Sequence, residues 1–107
     1  MSTRKSKSAN EIFNKTLGHV SFGEMLHSLR LTEETSQKSF AKKLGISTTE
    51  LCDIEKGRKF ISLQRATSFA KKLNDSPEVF IQYVIQDEIL RAGLNCEIKI
   101  LPNKNAA

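Results

Sequence analysis

The basic side chains between residues 37 and 72 are the groups of this sequence most able to take part in chemistry. Nine Lys and Arg residues in this stretch stand against three acidic residues, which leaves a net charge of +6. They are Lys38, Lys42, Lys43, Lys56, Arg58, Lys59, Arg65, Lys71 and Lys72. Concentrated Lys and Arg attract polyanions. The pattern therefore favours a polyanion partner, and a solvated charged surface is the alternative that charge alone leaves open.

Residue types that support covalent or metal chemistry are sparse. Cys52 and Cys96 form no CxxC pair, so we expect free thiols and no disulfide in a cytoplasmic protein. His19 and His27 have no Cys, Asp or second His at a ligand spacing. No nucleophile–base pair and no glycine-rich phosphate loop occurs in the sequence. We therefore expect no enzymatic activity, no cofactor and no metal site.

The helix signals predict an all-α fold of five helices, followed by a short carboxyl-terminal strand. Four of the predicted helices begin at a serine that caps free N–H groups: Ser21, Ser47, Ser62 and Ser76. The second helix is expected at about Ser36–Leu44. Glu24 and Glu50 stand three residues after two of these serines and predict capping boxes. Gly45 supplies the left-handed residue that a sharp turn between the second and third helices needs.

The segment from Gln37 to Gly57 has the spacing of two helices joined by a short turn. The residues that carry this spacing are Ala41, Gly45, Leu51 and Ile54. The first helix needs a small residue where the second approaches, the turn needs glycine, and the second helix needs apolar residues facing back. This spacing is typical of a helix-turn-helix, although many helical hairpins satisfy half of it.

A longer run contains these residues: SFGEMLHSLR…SQKSFAKKLGISTTELCDIEKGRKFISLQRATSFAKKL. Its motifs are Ser36-Gln37, Ala41, Leu44-Gly45-Ile46-Ser47 and Ile54-Glu55-Lys56-Gly57. Over residues 21–74, the chain resembles the XRE family of lambda-repressor-like helix-turn-helix domains. The resemblance implies a five-helix DNA-binding domain whose third helix enters the major groove.

The resemblance also implies a role for individual residues. The positions that face base edges in this family hold Thr48, Thr49, Glu50 and Asp53. The positions that contact phosphates hold Gln37, Ser47, Lys56, Arg58 and Lys59, and the nearby Lys38 is expected to add to this phosphate contact. Arg30 and Glu55 match the family's buried ion pair between the first and third helices.

Two of the four base-facing residues are acidic, and a carboxylate is unfavourable beside phosphates. Glu50 and Asp53 can instead accept a hydrogen bond from cytosine N4 and so read C·G pairs. The alternative for Glu50 is a structural role as the capping-box partner of Ser47. For Cys52, on the same helix, the alternatives are a role in sensing oxidation and a role in packing, and we favour packing.

The carboxyl-terminal part of the chain predicts assembly. The fifth helix is apolar around most of its circumference, so we expect burial on more than one side. The run CEIKI alternates as a strand does, and a lone strand needs a partner. We expect it to pair antiparallel with its copy in a second subunit, centred on Ile98, with Glu97 opposite Lys99. The residues expected at this dimer contact are Phe80, Val84, Cys96, Glu97, Ile98, Lys99 and Ile100.

These patterns divide the chain into three parts. They are a basic flexible arm at residues 1–20, the helix-turn-helix domain at residues 21–94, and a strand and tail at residues 95–107. A short helix is also expected within the arm, through Ile12, Phe13 and Leu17.

The expected function is sequence-specific binding of a palindromic double-stranded DNA operator by a cytoplasmic homodimer that represses transcription. No apolar run approaches the roughly 20 residues of a membrane span, so no membrane partner is expected. The carboxyl-terminal stretch is similar to the extension of antitoxins with this fold, which implies a toxin partner, but phage repressors and other regulators share the same core. The alternative is a protein-interaction module that neutralises a partner without specific DNA binding, which Glu50 and Asp53 favour.

Overall fold

The computed structural model describes residues 19–101 as five helices around one core. They are α1 (Phe22–Thr32), α2 (Gln37–Leu44), α3 (Thr48–Glu55), α4 (Leu63–Lys72) and α5 (Pro77–Arg91). No strand occurs among the described residues, so the predicted all-α class is confirmed for them. None of these helices is long and apolar enough to cross a membrane. Most of the basic arm, the helix expected through Ile12, Phe13 and Leu17, and the last six residues lie outside the described part of the chain.

All five helices begin directly after a serine, four of them at the predicted caps and the second one residue later than the sequence predicts. In each, the serine Oγ accepts a hydrogen bond from the backbone N–H three residues later, which satisfies a free helix donor. The capping box at Ser21 is complete, because Glu24 Oε1 also accepts from the Ser21 N–H at 3.0 Å. Of the capping box predicted at Ser47, only one of the two hydrogen bonds is formed. The Glu50 N–H binds Ser47 Oγ at 3.0 Å, but the Glu50 carboxylate binds basic side chains elsewhere.

The short turn between α2 and α3 places the two helices against each other. Gly45 has φ +75°, in the left-handed region that the sharp turn requires. Its N–H donates to the Lys42 carbonyl at 3.1 Å, and the Ile46 N–H donates to the Ala41 carbonyl at 3.0 Å, which together close the end of α2. Ala41 is fully packed in the core, as the spacing predicts for a small residue facing the second helix.

The hydrophobic core draws on all five helices. Its largest fully buried side chains are Phe40, Phe80, Leu26, Leu44, Leu51 and Ile54, and α4 adds Ala66, Phe69 and Ala70. Phe22 of α1 meets Phe80 of α5 edge to face, with ring centroids 5.7 Å apart. A Cβ at Gly23 would collide with the backbone carbonyl of Ile54, so α1 and α3 approach at a point that only glycine permits. This close approach sets the position of α3.

One side of α5 packs into this core. Phe80 and Val84 are 1% and 5% exposed within the single chain. The prediction that these two side chains face a second copy is therefore wrong, because intrachain packing has already removed them from solvent. Val79, which lies outside the core, is 48% exposed. A second copy would have to contact other residues of this region.

Residues 95–101 follow α5 and lie along it without forming a strand of a sheet. Two α5 side chains, Gln82 and Gln86, hydrogen bond with the backbone at residues 96, 98 and 100. We expected this segment to find no hydrogen-bonding partner within its own chain. That expectation is wrong for the edge that faces α5, because Gln82 and Gln86 bind its backbone groups. The strand pattern did not reveal this contact because side-chain amides, not another strand, supply it. Pairing with a second copy stays a prediction.

Candidate nucleic-acid interface

One side of α3 faces the core and the other faces solvent. The core side carries Leu51, Ile54 and Glu55. The opposite side, at helical spacing, carries Thr48, Thr49, Cys52 and Asp53, with Lys56 as the residue after the last turn. We call these five residues the outer face of α3. Thr48 and Thr49 are exposed, and within residues 19–101 their hydroxyls form no hydrogen bond.

Glu50 binds two basic side chains from the segment that follows α3. Its Oε2 accepts from Arg65 at 2.7 Å and from Lys59 at 3.0 Å, and its side chain is 21% exposed. The hydrogen bond from Arg65, followed by that from Lys59, lowers the pKa of Glu50 below its usual value. The carboxylate is therefore ionised and paired at neutral pH. Base readout by Glu50 would require these pairs to break.

Asp53 is paired with the loop that follows α3. Arg58 Nε donates to Asp53 Oδ1 at 3.0 Å. The N–H groups of Arg58 and Lys59 also donate to the Asp53 carbonyl, at 2.8 and 3.2 Å, so the loop folds back on the helix. Arg58 approaches the half-buried Cys52 thiol as well, at 3.9 Å. Both carboxylates in the middle of α3 thus have a basic partner within the chain.

The residues predicted to contact phosphates fall into three groups. Lys38, Ser47 and Lys56 are exposed, and neither lysine forms an ion pair within residues 19–101. Arg58 and Lys59 are also exposed, but each holds one of the α3 carboxylates. Gln37 differs from the others, because its Nε2 donates to the buried Glu55 at 3.0 Å. Its amide nitrogen is therefore already engaged inside the domain.

Arg30 and Glu55, the two residues that the family resemblance pairs, form an ion pair on the core side of α3. Arg30 Nε and NH2 donate to the two Glu55 oxygens at 2.7 and 3.1 Å, a two-point geometry that strengthens such pairs. Gln37 and His27 contact Glu55 Oε1 at 3.0 and 3.1 Å. Burial alone raises the pKa of Glu55, but the hydrogen bonds from these partners, Arg30 first, hold it below its usual value. Because the partners come from α1 and α2, the cluster ties three helices together.

Two basic residues have contacts that sequence reasoning missed. Arg65 binds Glu50, and Lys72 Nζ donates to the Leu44 carbonyl at 3.1 Å, at the carboxyl end of α2, where a cation is favourable. The charge count treats both as available to a polyanion. Sequence spacing could not identify these contacts, because the partners are 15 and 28 residues apart in the chain.

No group of three or more His, Cys, Asp or Glu residues able to hold a metal ion occurs in the part of the chain that the structure describes. Comparison with known proteins adds no relative: no family model, no curated protein and no solved structure matches this chain. The geometry itself defines a small helical domain in which α3 is fixed on α2 by its core side. Its outer face presents the hydroxyl groups of Thr48 and Thr49 and the basic side chain of Lys56, while Asp53 on this face and the neighbouring Glu50 are each paired with basic side chains.

Proposed function

We propose that the protein binds double-stranded DNA through α2 and α3, used as a helix-turn-helix, and represses transcription at a palindromic operator as a homodimer. The charge pairing on α3 is the observation that carries this proposal. Arg65 and Lys59 hold Glu50, and Arg58 holds Asp53, so each carboxylate that would repel a phosphate is neutralised. This pairing weakens the objection that an acidic helix cannot approach DNA.

The contacts with DNA follow from position along the two helices. Thr48 and Thr49 lie in the first turn of α3, where a helix-turn-helix brings side chains against base edges. Their hydroxyls can hydrogen bond with bases, and their methyl groups can contact a thymine methyl. Lys38, near the start of α2, and Lys56, after the end of α3, attract phosphates without regard to sequence.

Arg58 and Lys59 have a conditional role in this proposal. Both side chains are about half exposed, at 58% and 46%. Exposed ion pairs contribute only about 0–1 kcal/mol, so a phosphate can replace Glu50 as the partner of Lys59 at little cost while Arg65 still pairs with Glu50. A phosphate that replaced Asp53 as the partner of Arg58 would leave Asp53 without this ion pair. Each such contact displaces counterions from the DNA. We therefore expect an affinity that falls steeply as the salt concentration rises.

Fluorescence anisotropy tests the proposal directly. One labelled duplex is taken from the DNA upstream of the gene, and a second has a random sequence of the same length. We expect tighter binding of the upstream duplex and a strong salt dependence for both. Equal affinity for the two duplexes at physiological salt would reject specific recognition.

Single substitutions separate base contacts from phosphate contacts. Thr49→Ala should weaken binding of the upstream duplex by roughly fivefold and leave the random duplex nearly unchanged. The matched control is Thr67→Ala on α4, whose hydroxyl donates to the Leu63 carbonyl. Lys56→Ala should weaken both duplexes equally and lower the salt slope by about one, with Lys71→Ala on α4 as its control. A Lys56 variant that altered only the sequence preference would contradict the phosphate role.

A protein-interaction module is the second candidate function, and one observation favours it. The ion pairs with Asp53 and Glu50 occupy Arg58 and Lys59, two of the basic residues that DNA binding would use. An antitoxin combines both functions, because it represses its own promoter and neutralises a toxin. Co-expression with the product of the neighbouring gene separates them. Rescue of growth by a Lys38→Ala, Lys56→Ala double variant whose DNA binding is no longer detectable by anisotropy would show neutralisation without DNA binding.

A further inference from the structure

Two glutamines of α5 hold the segment that follows the helix. Gln86 Nε2 donates to the Cys96 carbonyl at 2.7 Å, and Gln86 Oε1 accepts from the Ile98 N–H at 2.9 Å. One turn earlier, Gln82 forms longer bonds of the same kind, to the Ile98 carbonyl at 3.4 Å and from the Ile100 N–H at 3.3 Å. Each side-chain amide donates one bond and accepts one, as a residue of a neighbouring strand does.

These four bonds recur at every second residue of the segment. In an extended chain, the N–H and C=O groups of successive residues point to opposite edges. The backbone groups of Glu97 and Lys99 therefore point away from α5. They form no hydrogen bond within residues 19–101. We call the backbone of these two residues the outer edge.

We infer that the outer edge pairs with the outer edge of a second copy of this chain, antiparallel, with Ile98 opposite the partner's Ile98. The glutamines make this register possible. The N–H and C=O groups of Ile98 are bound to α5, so Ile98 must occupy a position that forms no hydrogen bonds across the strand pair. The residues on either side, Glu97 and Lys99, then form the cross-strand bonds.

The charges on the segment favour a second copy of the chain as the strand that pairs with the outer edge, and they select one register among those possible. The side chains of Glu97 and Lys99 are exposed. Centring on Ile98 places each Glu97 opposite the partner's Lys99, so one sequence forms two attractive pairs about a two-fold axis. Centring on Glu97 or on Lys99 would set like charges directly opposite each other, which is destabilising.

Exposed apolar side chains at both ends of the segment support the same inference. Leu94 and Leu101 are 55% and 80% exposed. A two-stranded ribbon is marginal in water unless apolar side chains cover it, and an unpaired edge promotes association. Pairing of two copies would place both ends of each segment beside the partner chain, where these leucines become partly covered. This contact uses none of the residues buried in the core.

Disulfide trapping tests the register. In a Cys52→Ala, Cys96→Ser background, Ile98→Cys would put two thiols on the two-fold axis, where opposed Cα atoms are about 4.5 Å apart, within disulfide range. Glu97→Cys and Lys99→Cys are matched controls, because their own copies lie diagonally, at about 7–8 Å or more. We expect a covalent dimer only from Ile98→Cys. Trapping at 97 or 99 without trapping at 98, or a monomer at high concentration, would overturn the inference.

Charge reversal tests the same register without a covalent bond. Glu97→Lys should weaken the dimer by roughly tenfold, because both cross-strand pairs become repulsive. Adding Lys99→Glu should return the dissociation constant to near the wild-type value, since the attraction is recreated with the signs exchanged. Sedimentation equilibrium measures both variants. A double variant that dimerises no better than Glu97→Lys would contradict the register centred on Ile98.

The role of the glutamines has its own test. Gln82→Met combined with Gln86→Met keeps the side-chain length but removes every amide donor and acceptor. We expect a weaker dimer with an unchanged unfolding temperature of the helical core, while Gln64→Met on the exposed side of α4 changes neither. An unchanged dimer would reject this role. All these measurements are made without DNA, so their failure leaves the proposed DNA binding to be judged by the anisotropy experiment.

Discussion

Glu50 and Glu55 lie on the same helix, and both accept hydrogen bonds from basic side chains, yet their surroundings differ. The Glu55 side chain is 3% exposed and receives Arg30, His27 and Gln37, which come from two other helices. The Glu50 side chain is 21% exposed and receives two long basic side chains that are 46% and 38% exposed. The pKa of each carboxyl is lowered and burial opposes the lowering in both, but only for Glu55 is burial the largest single influence on the pKa.

Burial therefore determines whether an ion pair in this domain stabilises the packing of helices or mainly sets the charge of the surface. A buried carboxylate that loses its partner cannot recover the lost interactions from water, so the Glu55 cluster holds helices together. An exposed pair is screened and contributes little to the free energy of unfolding. The pairs at Glu50 and Asp53 instead set the charge that the outer face of α3 presents.

Glu55→Ala should give the largest loss of stability. The substitution leaves Arg30, whose side chain is only 11% exposed, without its carboxylate. We expect the free energy of unfolding to fall by about 3–5 kcal/mol, measured by urea denaturation. Glu88→Ala is the matched control, since it removes a carboxylate that is 63% exposed and bound to Arg91 at 3.4 Å. Equal losses for the two variants would remove the distinction between buried and exposed pairs.

Acid should produce the next largest effect. The pKa values of Glu50 and Glu55 in the folded protein lie below the ordinary value of 4.5, so the unfolded chain binds protons first. Their contribution to stability is complete above pH 4.5 and is lost as the pH falls through the lower, folded values. Urea denaturation between neutral pH and about pH 3 measures this loss. Glu50→Gln should flatten the decline only slightly, and a stability that rose with acid would contradict both shifts.

Glu50→Gln should change stability by only about 1 kcal/mol or less, because the pair is partly exposed. Its effect on DNA binding is more informative. Removing this charge frees Lys59 and Arg65 for phosphates, so we expect tighter binding of upstream and random duplexes alike, measured by anisotropy. If Glu50 reads a cytosine instead, affinity for the upstream duplex alone should fall. The two outcomes distinguish a charge-setting residue from a base-reading one.

Asp53→Asn should have the smallest effect on stability, within about 0.5 kcal/mol, because its side chain is 36% exposed and its partner Arg58 is 58% exposed. Binding of both duplexes should strengthen slightly. Thermal unfolding and anisotropy on the same preparation check the two parts. A loss of stability as large as that of Glu55→Ala would show that exposure does not rank these pairs.

Interactions between residues close in the chain were accessible from the sequence. The five serine caps bind an N–H three residues away, so a short stretch of sequence contains both partners. The turn at Gly45 and the small Ala41 follow from the same short-range constraints. The all-α class and the five helix starts are therefore predictable. The ion pair of Arg30 with Glu55 came from the family resemblance, not from spacing.

Contacts between distant segments were decided by packing. Arg65 reaches Glu50, Gln37 turns inward to Glu55, and Phe80 enters the core of its own chain, because the helices approach at particular points such as Gly23. The alternation of residues 96–100 predicted a strand, and no strand occurs among residues 19–101. Only the tertiary structure shows that glutamines one turn apart on α5 meet one edge and leave the other open. The sequence pattern does not show which backbone groups a glutamine side chain will bind, because that depends on where the folded chain places the amide.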